Sequence, residues 1–147
     1  RKKGNEYGAV TGRPRRCGWL DLPLLRYSVM INGIAWLVVT KLDVLDGLAE
    51  IPVCVAYKIN GKKTSEIPAQ STRYDKIECV YKTIPGWKGS TAGVVEYNKL
   101  PAKAKQYLAF VEKETGAKIA MISTGPGREE TMFMPEFKEM MEKMKSK

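Results

Sequence analysis

The sequence predicts an α/β fold in which helices flank a sheet and a β-hairpin stands exposed, and three stretches carry that expectation. In "IAWLVVTKLDVLDG" the continuous apolar run from Ile34 to Val39 is too short for a long helix and rich in β-branched residues. That pattern reads as a strand buried on both faces. Asn60-Gly61 separates "IPVCVAYKI" from "KKTSEIPA", and Asn-Gly between strand-forming residues is a strong type I′ hairpin signal. A long helix from Pro101 to about Thr115 then leads into the apolar strand "KIAMIS".

The first helix starts after Asp21, which can cap it, with Pro23 in its first turn and apolar Leu24, Leu25, Val29 and Ile31 before Gly33 stops it. "ECVYKTI" reads as a further strand, ended by the Gly- and Pro-rich loop "PGWKGSTAG". In the 101–115 helix, Ala104, Leu108 and Val111 fall among the buried positions and Gly116 supplies the C-terminal stop. From Pro135 a Met- and Lys-rich amphipathic helix closes the chain, and the helical spacing of Phe137, Met140, Met141 and Met144 predicts core packing for them. Asp46 and Glu50, close to a turn, read as solvated charges.

With 147 residues, 44% hydrophobic and 28% charged, the chain has the balance of one ordinary globular domain with a real core. It opens on Arg1-Lys2-Lys3 and an irregular, Gly-containing stretch, which is expected of the tail of a longer protein. No apolar stretch approaches the ~20 residues that a membrane-spanning helix needs, so neither a membrane span nor a signal peptide is expected. Cys17, Cys54 and Cys79 are odd in number and widely spaced. They suit neither a disulfide framework nor a zinc site, and a reducing, cytoplasmic location fits them best. The absence of histidine removes Ser-His and Cys-His nucleophile pairs from this chain, and any proton-transfer histidine has to come from elsewhere.

The net charge is +9, and residues 1–16 hold six Arg or Lys against Glu6 alone, so five of those nine charges sit at one end. Such concentration favours a small anionic ligand or a nucleic-acid backbone. "AVTGRPRRCGWLD" (9–21) places Arg13, Arg15 and Arg16 among glycines. Arginine presents a planar fork matching carboxylate or phosphate oxygens, and glycine admits close backbone approach. A basic nucleic-acid-binding module is the alternative, but the stretch has neither an RNA-binding signature nor aromatics interleaved with the arginines as stacking platforms. A structural or oligomerisation domain would account for the last helix without any ligand.

Two predicted strand ends, "VVTKLD" and "MISTGPG", lie where ligands collect in α/β sheets. At such an end Asp43 can accept from the ring N–H and exocyclic amine of guanine while the Lys41 stem lies along the base plane. Adenine offers no such donor pair. Gly125 and Gly127 are expected to leave backbone N–H groups accessible to the base carbonyl oxygen or to an anion.

"TGRPRRCGWLD", "TKLDVLDG", "CVAY", "PGW" and "STGPGREETM" occur in the same order as in adenylosuccinate synthetases, and the chain closely resembles that family over nearly all its length. The resemblance implies that residues 1–147 are the C-terminal part of such an enzyme's domain, the C-terminal portion of a P-loop-NTPase-like sheet. It implies a GTP-dependent ligase of AMP (purine nucleotide) biosynthesis that joins IMP to L-aspartate, acts as a homodimer, and uses magnesium held outside these residues. GTP would phosphorylate the IMP carbonyl oxygen and the aspartate amine would displace the phosphate. The resemblance omits the phosphate loop and the catalytic aspartate and histidine, so residues 1–147 alone are expected to be inactive, with no catalytic or metal-ligating residue among them. It places Ala9, Val10, Thr11, Gly12, Arg13, Pro14 and Arg15 in the IMP/aspartate loop. Arg13 would contact IMP across the dimer interface. Arg15 would bind the aspartate carboxylate and approach the GTP phosphates, Lys41 and Asp43 would read guanine, and Ser123, Thr124 and Gly125 would close over the base. Ala9 and Val10 depart from the family pattern, which has a further threonine there, leaving backbone contacts at those positions.

Overall fold

The computed structural model describes residues 1–68 and 71–146. Helix α1 (Leu22–Asn32) opens after Asp21, whose side chain accepts from the Leu24 N–H at 3.0 Å. Pro23 lies in the first turn, where its missing N–H costs nothing. Gly33 ends the helix in the left-handed region, φ 60°, and its N–H and that of Ile34 return to the carbonyls of Met30 and Val29. The cap is itself held: the Tyr57 hydroxyl donates to the Asp21 carboxylate at 2.7 Å.

Two three-stranded sheets follow. In one, β1 (Trp36–Val39) pairs in parallel with β5 (Lys118–Ser123), and β5 pairs antiparallel with β6 (Thr131–Phe133). In the other, β2 (Glu50–Ile59) is central between β3 (Lys62–Thr64) and β4 (Ile77–Pro85), all antiparallel. Asn60 and Gly61 join β2 to β3 with φ of 50° and 79°, the two left-handed residues that a type I′ turn requires. Ala69, which ends the "KKTSEIPA" stretch, lies outside the described residues.

Helix α2 (Ala102–Thr115) packs against α1, β4 and β5 and so ties the two sheets together. Its buried face is Ala104, Tyr107, Leu108 and Val111, and Gly116 caps it at φ 73°. Leu22, Ile51, Val53, Ile119 and Ile122 meet that face in one core. Fully burying an aliphatic side chain of this size contributes roughly 1.5–3 kcal/mol. Helix α3 (Pro135–Lys145) lies beside β5.

Three expectations are corrected. Among the described residues β1 pairs with β5 alone, and Val38 is 56% exposed, so the apolar run is not buried on both faces. In α3 no residue is buried: Phe137 meets Trp36 edge-on at 5.1 Å and stacks on Phe133 at 6.3 Å, but Met141 and Met144 are exposed. Periodicity located the apolar face without saying whether this chain covers it. Asp46 is not a solvated charge. It accepts from Trp87 Nε1 at 2.6 Å, from the Thr91 N–H at 2.6 Å and hydroxyl at 2.8 Å, and from Ser90 Oγ at 3.2 Å. The "PGWKGSTAG" loop is thereby anchored, with Trp87 and Thr91 buried beneath it. β6 and the 3₁₀ turn Leu42–Leu45 had no sequence expectation, because neither is long enough to show a period.

Candidate functional site

Because β1 and β5 are parallel neighbours with Val39 opposite Ile122, their carboxyl ends emerge side by side. That single fact brings "TKLD" next to "STGPG". Lys41 follows β1 in the left-handed conformation, φ 59°, and Asp43 sits in the first turn of the 3₁₀ segment behind it. Lys3, Gly4, Asn5, Lys41, Asp43, Val44, Gly125 and Pro126 enclose a pocket of about 220 Å³. One carboxylate oxygen there, Asp43 Oδ1, is buried and has no hydrogen-bond partner among the described residues. Buried acceptors are almost always paired, so an orphan of this kind calls for an explanation.

The glycine loop is closed by a residue that the sequence reading passed over. Glu130 Oε2 accepts from the Gly127 N–H at 2.6 Å, so that N–H is not accessible to an anion, contrary to expectation. A Cβ at Gly125 would stand 2.3 Å from the Glu130 carboxyl, and one at Gly127 would stand 2.2 Å from Glu129 Oε1. The two glycines leave the room into which these acidic side chains fold back over the loop, and a larger residue there would push the flexible carboxylate ends aside. Ser123 Oγ donates to the Gly125 carbonyl at 2.8 Å. Thr124 is fully buried, and its hydroxyl shares its one proton between the carbonyls of Val94 and Glu130, at 2.9 and 3.1 Å.

The arginine loop is a backbone-closed excursion. Tyr7 and Pro14 form an antiparallel bridge at its neck, the Gly8 N–H donates to Arg13 O at 2.8 Å, and the Gly12 N–H donates to Gly8 O at 2.9 Å. Gly12 takes φ 63°. Ala9, Val10, Thr11, Gly12, Arg13, Pro14 and Arg15 are all exposed, Val10 at 97%. Within the loop, the Thr11 hydroxyl accepts from the Arg13 N–H at 3.4 Å.

Arg15 and Lys41 meet through Glu6. Arg15 Nη1 donates to Glu6 Oε2 at 3.2 Å, Lys41 Nζ donates to Glu6 Oε1, and Lys41 Nζ also donates to the Gly4 carbonyl at 2.6 Å. The hydrogen bonds from Lys41 and then Arg15 hold the Glu6 carboxyl below its ordinary value. Arg15, Arg16, Glu6, Trp19 and Lys41 border a second pocket of about 470 Å³, which shares Gly4, Lys41 and Val44 with the first. Lys41 thus stands on the boundary between the pocket that holds Asp43 and the one bordered by Arg15 and Arg16. The structure brings Lys41, Asp43, Gly125 and Arg15 into one region, while Arg13 and the rest of its loop stand out from it. Glu6 and Glu130 were missed. For Glu6 a signal existed, since it is the one acid among the basic residues of 1–16.

All three cysteines are free thiols. Cys54 is buried, and burial above all pushes its thiol up to about 12, which makes it a poor nucleophile. No helix of the described residues is long and apolar enough to cross a membrane.

A family model described as adenylosuccinate synthetase matches residues 1–132. Among individual relatives, an adenylosuccinate synthetase of Koribacter versatilis is 63% identical over 137 residues, covering 93% of this chain and 31% of that protein. One of Solibacter usitatus is 52% identical over 132 residues, covering 90% and 30%. A solved structure of fully ligated adenylosuccinate synthetase from Plasmodium falciparum superposes with a TM-score of 0.84 at 40% identity, covering 90% of this chain and 32% of that one. The chain spans about a third of the length of the relatives it matches.

Proposed function

Since the chain belongs to the adenylosuccinate synthetase family, we propose that residues 1–147 supply the guanine pocket and the substrate-binding arginine loop of a GTP-dependent ligase joining IMP to L-aspartate in AMP biosynthesis. On this reading the chain is the C-terminal part of a cytoplasmic homodimer, and its mixed sheet is one portion of a P-loop-NTPase-like sheet. The observation that carries the reading is the gathering of Asp43, Lys41 and Gly125 around one pocket, with Asp43 Oδ1 left without a hydrogen-bond partner among the described residues. Guanine presents two adjacent donors, its ring N–H and exocyclic amine, and a carboxylate can accept both. A pocket of about 220 Å³ suits one planar base, with the sugar and phosphates outside it.

The Lys41 stem flanks the base, the Gly125 N–H donates to its carbonyl oxygen, and Ser123 and Thr124 shape the loop from which Gly125 projects. Arg15 binds the aspartate carboxylate and approaches the GTP phosphates, and Arg13 reaches IMP across the dimer interface. Bringing a triphosphate, a nucleotide monophosphate and a dicarboxylate together is strongly repulsive without fixed cations. The exposed arginine loop answers that need, with Ala9, Val10, Thr11, Gly12 and Pro14 giving it backbone shape. The family uses magnesium with GTP, but among the described residues no three Cys, Asp or Glu side chains gather as a metal site. No step assigned to this chain runs through the metal. A nucleic-acid module is not favoured, because Arg15 and Lys41 are tied to Glu6 rather than arrayed along a groove.

The test places this chain in the Koribacter versatilis synthetase in place of the segment it matches. With IMP and aspartate saturating, Asp43→Asn is expected to lower kcat/KM for GTP by a factor of about 100, because an amide turns a donor toward a donor on the base. Xanthosine triphosphate, which carries a carbonyl in place of the exocyclic amine, should restore part of the activity. A variant that prefers GTP as strongly as its parent would make Asp43 a turn residue and remove the guanine pocket.

A further inference from the structure

We infer that Glu6 is a positioning residue that couples the aspartate-binding arginine to the guanine-reading lysine, an inference that rests on the site proposed above. Each of its carboxylate oxygens serves one of the two cations: Oε2 accepts from Arg15 Nη1 at 3.2 Å, and Oε1 accepts from Lys41 Nζ. The Glu6 backbone is itself anchored on both sides. The Glu6 N–H donates to Arg1 O at 3.0 Å, and the Glu6 carbonyl accepts from the Arg15 N–H at 3.0 Å.

Stability does not explain the arrangement. The Arg15 and Lys41 side chains are 57% and 43% exposed, and ion pairs so open to solvent contribute little to folding. Placement does explain it. An exposed arginine without a partner samples many rotamers, and two cations gathered for anionic ligands repel each other when the ligands are away. One carboxylate between them offsets that repulsion and fixes both side chains at the boundary of the two pockets. The contact to Arg15 involves a single guanidinium nitrogen, which leaves most of the five donors of the fork free for a substrate carboxylate. Lys41 is held more firmly, by Glu6 and by the Gly4 carbonyl. The Glu6 carboxyl, ionised at neutral pH like any glutamate, is held below its ordinary value by Lys41 and then Arg15.

In the same chimeric synthetase, Glu6→Gln is expected to raise the KM for aspartate and the KM for GTP each by about tenfold, with a smaller change in kcat, since a charged hydrogen-bond partner is lost on either side. If Glu6 acts on aspartate through Arg15, adding Glu6→Gln to Arg15→Leu should raise the aspartate KM no further. Glu6→Asp keeps the charge but is one methylene shorter. It should retain the doubly held Lys41 and lose the longer contact to Arg15, raising the KM for aspartate alone. That variant decides the matter if Glu6→Gln does not fold. Unchanged KM values in Glu6→Gln, or an equal rise with and without Arg15, would overturn the role. An unchanged aspartate KM in Arg15→Leu would instead remove the proposed role of Arg15, and this inference with it.

Discussion

Asp46 shows how far one carboxylate can depart from its apparent setting in the sequence. Burial by itself would raise its pKa, but the hydrogen bonds from the Thr91 N–H, Trp87, the Thr91 hydroxyl and Ser90 outweigh it and hold the group below its ordinary value of 3.8. A carboxyl lowered on folding contributes stability that is fully present above its unfolded value and is lost as pH falls through the folded one. Acid below about pH 4 should therefore loosen the 86–93 loop. Asp46→Asn removes the charge and turns an amide donor toward a cluster of donors, and about 2–3 kcal/mol of destabilisation at neutral pH is expected. Urea unfolding of parent and variant at pH 7 and pH 3 checks both statements: the gap between them should shrink in acid. An equal gap at both pH values would mean that the charge contributes nothing. Lys41 and Asp43 could be singled out together because they stand two residues apart, and the structure sets both on one pocket. Asp46 and Glu6 could not, because their partners lie on other segments, Trp87 and Thr91 for the first and Lys41 for the second, while Glu130 folds back on Gly127 only three residues before it, a local closure that the glycines alone did not announce.

Elements whose ends are set locally were readable as well. Asp21 and Gly33 bound α1, Gly116 ends α2, and Asn60-Gly61 turns β2 into β3, each through chemistry confined to a few neighbouring residues. What failed was burial, which depends on what packs against an element rather than on the element itself. Val38 in β1 and Met144 in α3 carry apolar side chains at 56% and 65% exposure. Gly86 makes the complementary point. In the sequence it is merely part of a Pro-Gly loop, yet a Cβ there would stand 2.1 Å from the Leu48 carbonyl oxygen, where the chain leaving β4 passes the start of β2 and the Gly86 N–H donates to Ala49 O at 2.9 Å. The obstacle is backbone, which cannot rotate away as a side chain can. Gly86→Ala should cost about 3 kcal/mol, whereas Gly89→Ala, whose Cβ would meet only the Pro101 ring at an ordinary 3.6 Å, should change stability by less than about 0.5 kcal/mol. Equal melting temperatures for the two variants would contradict the close approach.

For the molecule as a whole, the division of labour follows from which chemistry the chain carries. It has no histidine, its one buried cysteine is held protonated, and its carboxylates Glu6, Asp46 and Glu130 are each engaged in holding structure. On the proposed reading the groups that meet ligands are the arginine loop, Lys41, Asp43 and the Gly125 backbone. On that reading they bind and orient anions and a base, and the proton transfers of the phosphoryl and amine steps fall to the rest of the enzyme. Positioned acid–base catalysis alone contributes roughly 10²–10⁴ in rate, and electrostatic stabilisation of the transferring phosphoryl group is commonly larger still. Because the chain spans 31% of its Koribacter versatilis relative, we expect purified residues 1–147 to form adenylosuccinate from IMP, aspartate and GTP at least about 10⁴-fold more slowly than the chimera that contains them. The two proteins are compared at equal molar concentration by product formed over hours. Product from the isolated chain at a rate within a hundredfold of the chimera would mean that these residues hold an acid–base pair of their own, and the assignment of binding without chemistry would have to be withdrawn.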